Sequence, residues 1–204
     1  MKDVYELLKK YKIPVAKAVL LKNLSELKQE IKYPAVFKIN SPDILHKTDV
    51  GCVEKVFSKA DAKSAFVRIM NSAKKHTNNI NGIIAQEMLE GLEVILGAKY
   101  DEQFGPIILF GSGGIFTEIF KDITIRLLPV NKREIRDMIF DTKISSIFSG
   151  YRGISVDIKM LIGTIMNFSR LFLSNTKIKE IEINPLFVNG KNIIAADVRT
   201  IYYN

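Results

Sequence analysis

The stretch EIEINPLFVNGKNIIAAD, residues 180–197, decides the fold of the C-terminal half of this 204-residue chain. Its Asn-Gly dipeptide at 189–190 lies between two β-rich runs, which is the pattern of a tight β-hairpin. Because successive side chains of a strand point to opposite faces, Glu182 and Asn184 share one face of this hairpin. The opposite face is apolar and carries Ile181, Ile183, Ile194 and Ala196. A hairpin with one buried face is therefore predicted.

The register of this hairpin is left open by the sequence. If the turn is Gly190-Lys191, Asn184 lies opposite Asp197; if it begins one residue earlier, Asp197 faces Glu182. Either register places Glu182, Asn184 and Asp197 on one face, because the side-chain period is two. Two carboxylates and an amide oxygen predict a site for Mg²⁺ held jointly with phosphates. A solvated polar face is the alternative.

Helices and strands follow one another without strict alternation, which favours an α+β fold over a doubly wound sheet. Helices are predicted at 3–11, 24–32, 59–76, 131–140 and 157–174, and strands at 15–20, 34–39, 53–57, 82–87, 93–100 and 106–110. The polar stretch KKHTNNING, residues 74–82, predicts a subdomain break near residue 80. The predicted parts are an N-terminal subdomain, 1–80, which contains a histidine loop, and a C-terminal subdomain, 81–204, which contains the hairpin.

The net charge of +8 does not indicate a nucleic-acid-binding protein. The lysines are dispersed, no block of five or six like charges occurs, and no zinc-finger or RNP-like motif is present. A generally basic surface is the simplest interpretation, and docking on an acidic partner is the alternative.

A soluble cytoplasmic protein is expected. Cys52 is the single cysteine, so no internal disulfide forms, which is typical of a reducing compartment. The N-terminus reads as an amphipathic helix and not as a signal peptide. The longest uncharged stretch, Gln103 to Thr117, is too short to span a bilayer.

A lysine interrupts the apolar strand PAVFKI, residues 34–39. Ala35, Phe37 and Ile39 form one face, whereas Lys38 lies with Val36 on the other. An ammonium group in such a strand is costly unless it meets an anion, which makes Lys38 a candidate ligand. An edge-strand position with the ammonium in water is the alternative.

Two further stretches are candidates for nucleotide contacts. The connection Gln86-Glu87-Met88-Leu89, followed by a strand that begins with Glu93, presents backbone polar groups and apolar walls to a planar ring. The segment 109–122, LFGSGGIFTEIFKD, places three glycines after a strand, where amides approach phosphate closely. Its spacing matches neither Walker A nor G-x-G-x-x-G. A plain hairpin and a tight turn are the respective alternatives.

His46 lies in the turn-rich stretch SPDILHKTDVGC, residues 41–52, and is one of two histidines. A histidine there is a candidate base, metal ligand or phosphoryl carrier, or a surface residue. His76, in AKKHTNN, has no comparable setting and is predicted to be a surface residue.

Taken together, these motifs resemble a known family, the ATP-grasp β subunits of ADP-forming acyl-CoA synthetases, in particular acetyl-CoA synthetases. The residues that carry the resemblance are Lys38, the histidine loop, QEML (86–89), FGPIILFGSGGIFTEIFKD (104–122) and EINPLFVNG…AADVR (182–199). The succinyl-CoA synthetase β subunit is similar at a greater distance. The resemblance spans residues 5–200 and implies an ATP-grasp fold of two α+β subdomains with the nucleotide bound between them.

The resemblance also implies roles for single residues. Lys38 would hold the α- and β-phosphates of ATP or ADP, residues 86–89 would contact the adenine, and Glu93 would approach the ribose. Asn184 and Asp197 match the family's Mg²⁺ ligands, with Glu182 a weaker candidate. His46 matches the histidine that carries a phosphoryl group between the partner subunit and ADP.

A separate α subunit with CoA-binding and phosphohistidine domains is implied as well, so the enzyme is expected to be a hetero-oligomer. The chain departs from the family at Gly51-Cys52, where two glycines are usual. This departure bears on how freely the histidine loop moves.

Other functions remain open at this point. An ATP-grasp carboxylate–amine ligase would form an acyl phosphate without His46. A regulatory or scaffolding subunit would bind nucleotide without turnover, and a basic nucleic-acid module would bind through salt-sensitive phosphate contacts.

Overall fold

The computed structural model describes residues 2–28, 30–44, 46–114, 121–148, 150 and 155–203. The elements in chain order are α1 (Lys2–Lys10), β1 (Ala18–Leu21), a 3₁₀ helix (Leu24–Lys28), β2 (Ala35–Asn40), β3 (Val53–Val56), α2 (Lys59–Lys74), β4 (Gly82–Glu87), β5 (Leu92–Asp101), β6 (Gly105–Ser112), β7 (Ile123–Leu127), α3 (Lys132–Phe140), a 3₁₀ helix (Lys143–Ile147), α4 (Ile158–Ser174), β8 (Ile178–Asn189), β9 (Asn192–Ala195) and β10 (Val198–Tyr202). The predicted elements are present, except that the helix expected at 24–32 is one short 3₁₀ helix.

The chain divides into two compact units. The smaller unit is Ala16–Leu89, and the larger unit contains the residues up to Val15 and those from Glu90 onward. The boundary therefore lies at Leu89–Glu90 and not near residue 80, because β4 pairs with both β1 and β2 and cannot be separated from them. The first helix also belongs to the larger unit, because Val4 and Leu8 are buried in its core.

The smaller unit is a four-stranded antiparallel sheet in the order β1-β4-β2-β3, with α2 against one face. Helix α2 begins at Ser58, whose side chain accepts a hydrogen bond from the Asp61 N–H group. Its buried side chains are Ala62, Ala65, Phe66, Ile69 and Ala73. They share a core with the buried face of β2, as the alternation in PAVFKI predicts.

The larger unit is built on a six-stranded antiparallel sheet in the order β10-β8-β5-β6-β7, with β9 paired to β8. Buried residues of α1, α3 and α4 share one hydrophobic core with this sheet. Asn131 begins α3 through a capping box with Glu134, and Asp157 begins α4 by accepting from the Met160 N–H group. The core is large, with Leu96, Ile108 and Phe168 fully buried.

None of the helices in the described part of the chain has both the length and the apolar character required to cross a membrane.

Candidate functional site

Lys38 lies on an interior strand of the smaller unit. Strand β2 runs between β4 and β3, where Lys38 is paired with Ile84 and Val53. The edge-strand alternative is therefore wrong. The side chain is half-buried on the face of the sheet that α2 leaves uncovered. A partly desolvated ammonium in this position is stabilised by an anion.

The connection after β4 is held firmly within the smaller unit. The Glu87 N–H group donates to the Lys17 carbonyl oxygen at 2.9 Å, and a Glu87 carboxylate oxygen accepts from the Lys17 N–H group at 2.9 Å. The Met88 N–H group donates to the Pro34 carbonyl oxygen at 3.2 Å. Glu87 thus fixes the connection, and the half-exposed side chains of Met88 and Leu89 are the parts best placed to contact a planar ring.

The histidine loop, residues 41–52, is anchored before His46 by polar contacts. The Ser41 hydroxyl donates to the Asn79 carbonyl oxygen at 2.7 Å. The carboxylate of Asp43 accepts hydrogen bonds from the Thr77 hydroxyl and the Asn79 side-chain amide. The side chain of His46 itself is exposed.

The histidine loop is also anchored after His46. The Cys52 N–H group donates to the Lys47 carbonyl oxygen at 2.8 Å, and the Ile39 N–H group donates to the Cys52 carbonyl oxygen at 2.9 Å. Cys52 is fully buried in the core of the smaller unit. Gly51 has φ +64°, a backbone conformation that favours glycine. The backbone of Cys52 does not have a positive φ. A cysteine in place of the second glycine is therefore compatible with this loop.

The glycine segment of the larger unit is closely packed. A Cβ atom at Gly111 would lie 2.1 Å from the Asp122 carbonyl oxygen, and one at Gly114 would lie 2.3 Å from a Glu93 carboxylate oxygen. Three successive backbone N–H groups donate hydrogen bonds within the protein. Ser112 donates to the Asp122 carbonyl oxygen at 3.0 Å, Gly113 to the Glu93 carbonyl oxygen at 2.9 Å, and Gly114 to Asn184 Oδ1 at 3.1 Å. Packing therefore accounts for these glycines, as the tight-turn alternative proposed. The predicted segment continues through 115–120, which lie outside the described residues.

Asp122 is a buried carboxylate that ties the glycine segment to a neighbouring turn. It accepts hydrogen bonds from the Ser112 hydroxyl at 2.8 Å and from the Lys143 and Ile144 N–H groups at 2.7 and 2.9 Å. Burial alone would raise the pKa of Asp122, but these hydrogen bonds outweigh it and hold the pKa below its usual value.

The C-terminal hairpin, formed by β8, β9 and the adjoining Asp197, has the first of the two predicted registers. Asn189 pairs with Asn192, so Gly190 and Lys191 form the turn. Asn184 lies opposite Asp197, and its N–H group donates to the Asp197 carbonyl oxygen at 3.0 Å. Of the predicted apolar face, Ile181, Ile183 and Ala196 are buried, but Ile194 is only half-buried, and Ile193 lies in the core in its place.

Asn184 connects several polar groups of this hairpin. Its Oδ1 atom accepts from the Gly114 N–H group, and its side chain is hydrogen-bonded to the carboxyl group of Glu182. Burial raises the pKa of Glu182, and the charge of Glu180 adds to this effect, against the lowering effects of Asn184 and of Arg199 on β10. Glu182 is thus occupied by protein contacts, which fits its place as the weakest of the three candidate ligands.

Asn184 and Asp197 offer hard oxygen atoms, the donor type that Mg²⁺ prefers. Within the described residues, no group of three or more His, Cys, Asp or Glu side chains is arranged to hold a metal ion. A cation here would therefore need ligands from a bound phosphate, as nucleotide-bound Mg²⁺ usually has.

Comparisons with known proteins decide the family. The ATP-grasp domain family matches residues 1–201. The chain is 41% identical to the β subunit of acetate–CoA ligase (ADP-forming) I from Pyrococcus furiosus, over 98% of this chain and 89% of that protein. The chain belongs to the ATP-grasp family. Its relatives are ADP-forming acyl-CoA ligases, and the resemblance seen in the sequence is confirmed.

Two other ATP-grasp relatives define the context. The 4-hydroxybutyrate–CoA ligase (ADP-forming) of Nitrosopumilus maritimus is 40% identical over 95% of this chain, which spans only 29% of that protein. A solved structure of acetyl-coenzyme A synthetase 1 from Ca. Korarchaeum cryptofilum is 31% identical, with a TM-score of 0.80, over 96% of this chain and 88% of that chain. It contains coenzyme A and Mg-AMPPCP, with its phosphohistidine segment pointing towards the nucleotide-binding site. The predicted α+β ATP-grasp fold is confirmed.

Sequence reasoning missed two residues of this ATP-grasp chain, Asp122 and Tyr5. Asp122 stands in the quoted glycine segment, but its backbone partners at 143–144 are distant in sequence. Burial raises the pKa of Tyr5 on α1 to about 12, and the charge of Asp197, almost the whole length of the chain away, adds to this effect. No local pattern indicates either interaction.

Proposed function

We propose that this chain is the nucleotide-binding β subunit of an ADP-forming acyl-CoA ligase and that His46 carries the phosphoryl group. One observation carries the proposal: His46 is exposed on a loop fixed at both ends, in a chain that matches a β subunit over nearly its whole length. The enzyme would interconvert acyl-CoA, ADP and phosphate with carboxylate, CoA and ATP.

In this proposal several residues bind the nucleotide. Lys38 binds the α- and β-phosphates, because a half-buried ammonium on an interior strand is stabilised by an anion. Met88 and Leu89 pack against the adenine, Gln86 and Glu87 hold the connection in place, and Glu93 approaches the ribose.

Asn184 and Asp197 would hold Mg²⁺ together with phosphate oxygens, and Glu182 would orient Asn184 through their hydrogen bond. The cation would supply charge neutralisation for the transferring phosphoryl group. The Asn184 Oδ1 atom accepts from the Gly114 N–H group in this structure, so the same atom would be shared or exchanged on binding.

The transfer step uses one imidazole nitrogen of His46. In the direction of ATP synthesis, that nitrogen attacks the phosphorus of the partner subunit's phosphohistidine, a new N–P bond forms, and the partner's N–P bond breaks. The β-phosphate oxygen of ADP then attacks the same phosphorus, and neutral His46 leaves as ATP forms. A neutral imidazole is required for the attack, and histidine supplies one near neutral pH.

The partner would be a separate chain with the CoA-binding and phosphohistidine domains. The 4-hydroxybutyrate–CoA ligase of Nitrosopumilus maritimus is much longer than this chain, which is consistent with such domains being fused to its ATP-grasp region. The acyl group, acetate or another acid, would be selected mainly by that partner.

The test is a phosphorylation experiment on the purified chain with and without a CoA-binding partner subunit. With Mg-ATP, or with the phosphorylated partner, His46 is expected to gain an acid-labile, base-stable phosphate, and acyl-CoA turnover is expected only with the partner present. Robust CoA-dependent turnover by the chain alone would contradict the subunit assignment. Turnover with an amine acceptor and no label would favour the carboxylate–amine ligase.

A further inference from the structure

Gly114 lies where the glycine segment meets two residues that the proposed function uses. Its N–H group donates to Asn184 Oδ1 at 3.1 Å, which connects the segment after β6 to the C-terminal hairpin. A Cβ atom at this position would lie 2.3 Å from a carboxylate oxygen of Glu93, near the start of β5. Asn184 and Glu93 therefore approach the same glycine from two different strands.

The backbone around Gly114 is fixed by the sheet. The Gly113 N–H group donates to the Glu93 carbonyl oxygen at 2.9 Å, and a Cβ atom at Gly113 would lie 2.7 Å from the carbonyl carbon of Val94. Gly114 itself has φ +61°, a conformation that favours glycine. The direction of the Gly114 N–H group is therefore set by its close packing on β5, and the Asn184 side chain accepts from a donor that is already in place.

A fixed N–H donor decides which end of the Asn184 side-chain amide points towards it. This amide has an oxygen atom at one end and an NH₂ group at the other, and only the oxygen can accept a hydrogen bond or bind a hard cation. A carbonyl oxygen has two lone pairs, so Oδ1 can accept from Gly114 and still offer a lone pair to Mg²⁺. The hydrogen bond therefore holds the candidate ligand atom in one orientation and leaves it able to bind the cation.

We propose that Gly114 is a positioning residue for Asn184. Its N–H group holds Oδ1 while that atom binds Mg²⁺, so Oδ1 is shared between the two and not exchanged, and its lack of a side chain leaves the Glu93 carboxylate in place. This inference rests on the proposed function, because Asn184 is a metal ligand only in that proposal. Groups that orient a metal ligand typically change metal affinity by about 10- to 100-fold when they are removed.

The first experiment compares Gly114→Ala with Gly105→Ala by calorimetric titration of the full chain with ADP at a series of Mg²⁺ concentrations. Gly105 is the matched control, because its φ of +76° is also positive, whereas a Cβ atom there would meet no atom of the described, non-neighbouring residues within 4 Å. Both variants strain the backbone. Gly114→Ala is expected to raise the Mg²⁺ concentration for half-maximal ADP binding by about tenfold, and Gly105→Ala is expected to leave it unchanged.

A double-mutant cycle with Asn184→Ala separates positioning from a purely structural role. If Gly114 acts through Asn184, the Gly114→Ala substitution has little further effect on Mg²⁺ dependence once Asn184 is replaced. An unchanged Mg²⁺ dependence in Gly114→Ala, or fully additive effects in the cycle, would overturn the inference while wild-type Mg²⁺-dependent binding left the proposed function intact.

A second experiment needs no glycine variant and follows hydrogen exchange of the Gly114 N–H group by NMR. This amide is expected to be protected in the wild-type chain and to exchange faster in Asn184→Ala. Saturating Mg-ADP should leave it protected, because Oδ1 is shared. Loss of that protection when Mg-ADP binds would mean that Oδ1 leaves Gly114 for the cation, which would overturn the inference. Absence of Mg²⁺-dependent ADP binding by the wild-type chain would overturn the proposed function itself.

Discussion

The sheets of the two units differ in how they place charge on the face that their helices leave open. On the smaller sheet, Lys38 is paired with Ile84 and Val53, and Lys55 with Val36, so both lysines have apolar cross-strand neighbours. On the larger sheet, two carboxylates have a cation opposite them: Glu182 is paired with Arg199, and Glu180 with Lys99. The cross-strand neighbours of the two lysines on the smaller sheet are therefore apolar, whereas two glutamates on the larger sheet face cations across the strands.

This difference assigns separate tasks to the two units. The smaller unit contains the groups that would meet phosphate directly, Lys38 and His46. The larger unit holds the C-terminal hairpin, whose geometry depends on internal hydrogen bonds, including those of Asn184 and Asp122. Substitutions in the smaller unit should therefore change turnover and nucleotide affinity with little effect on stability, and substitutions in the larger unit should affect both.

The largest expected effect comes from His46 in the smaller unit. His46→Ala should reduce turnover of the complex by about a thousandfold or more, because a covalent carrier is lost, while ADP affinity changes little. His46→Asp should fail equally, since it cannot form the same phosphoramidate. His76→Ala is the matched control, because His76 is also exposed. Steady-state kinetics with the partner, together with calorimetric ADP binding, measures both quantities. Near-normal turnover of His46→Ala would remove the carrier role.

The next effect concerns the two lysines on the open face of the smaller sheet. Lys38→Met should weaken ADP binding by about 30- to 100-fold, the value expected for losing a charge-assisted hydrogen bond to phosphate. Lys55 lies on the same face of the sheet but on its edge strand, so Lys55→Met should change the ADP affinity by less than about threefold. Equal losses in both variants would show that general basic charge, and not the interior position of Lys38, attracts the nucleotide.

The sequence predicted local features of this molecule well and its non-local contacts poorly. The face shared by Glu182 and Asn184 followed from alternation alone, whichever register the hairpin adopted. The choice of Gly190-Lys191 as the turn could not be predicted, because both registers bury the same isoleucines. The helical period of the N-terminus indicated a buried stripe but not that the larger unit would bury it.

The subdomain boundary illustrates the same limit. KKHTNNING has the composition of a loop, and the structure has a loop there, but β4 returns to pair with β1 and β2 after it. The candidate site was predicted residue by residue through the family resemblance, and its assignments remain predictions. The partners of the glycine amides, Glu93 and Asn184, were not predictable, because each contact joins segments that are distant in sequence.

The smallest expected effect concerns two aspartates that anchor functional segments, one in each unit. Asp122→Asn should lower the free energy of unfolding by about 2 kcal/mol at pH 7, because hydrogen bonds to a buried charge are lost or weakened. Asp43→Asn, the matched variant in the smaller unit, should cost less than about 1 kcal/mol, because Asp43 is exposed and its hydrogen bonds come from side chains.

The pH dependence distinguishes the charge of Asp122 from its shape. The folded-state pKa of Asp122 lies below its ordinary value of 3.8, so the charged carboxylate stabilises the fold above that pH. This contribution is lost as the pH falls through the lower folded-state pKa, because the unfolded chain binds the proton first. The difference in urea midpoint between wild type and Asp122→Asn should therefore be constant between about pH 5 and pH 7 and should shrink below about pH 4. A difference that stays the same down to about pH 2 would mean that packing of the side chain, and not its ionised hydrogen bonds, is what the larger unit requires.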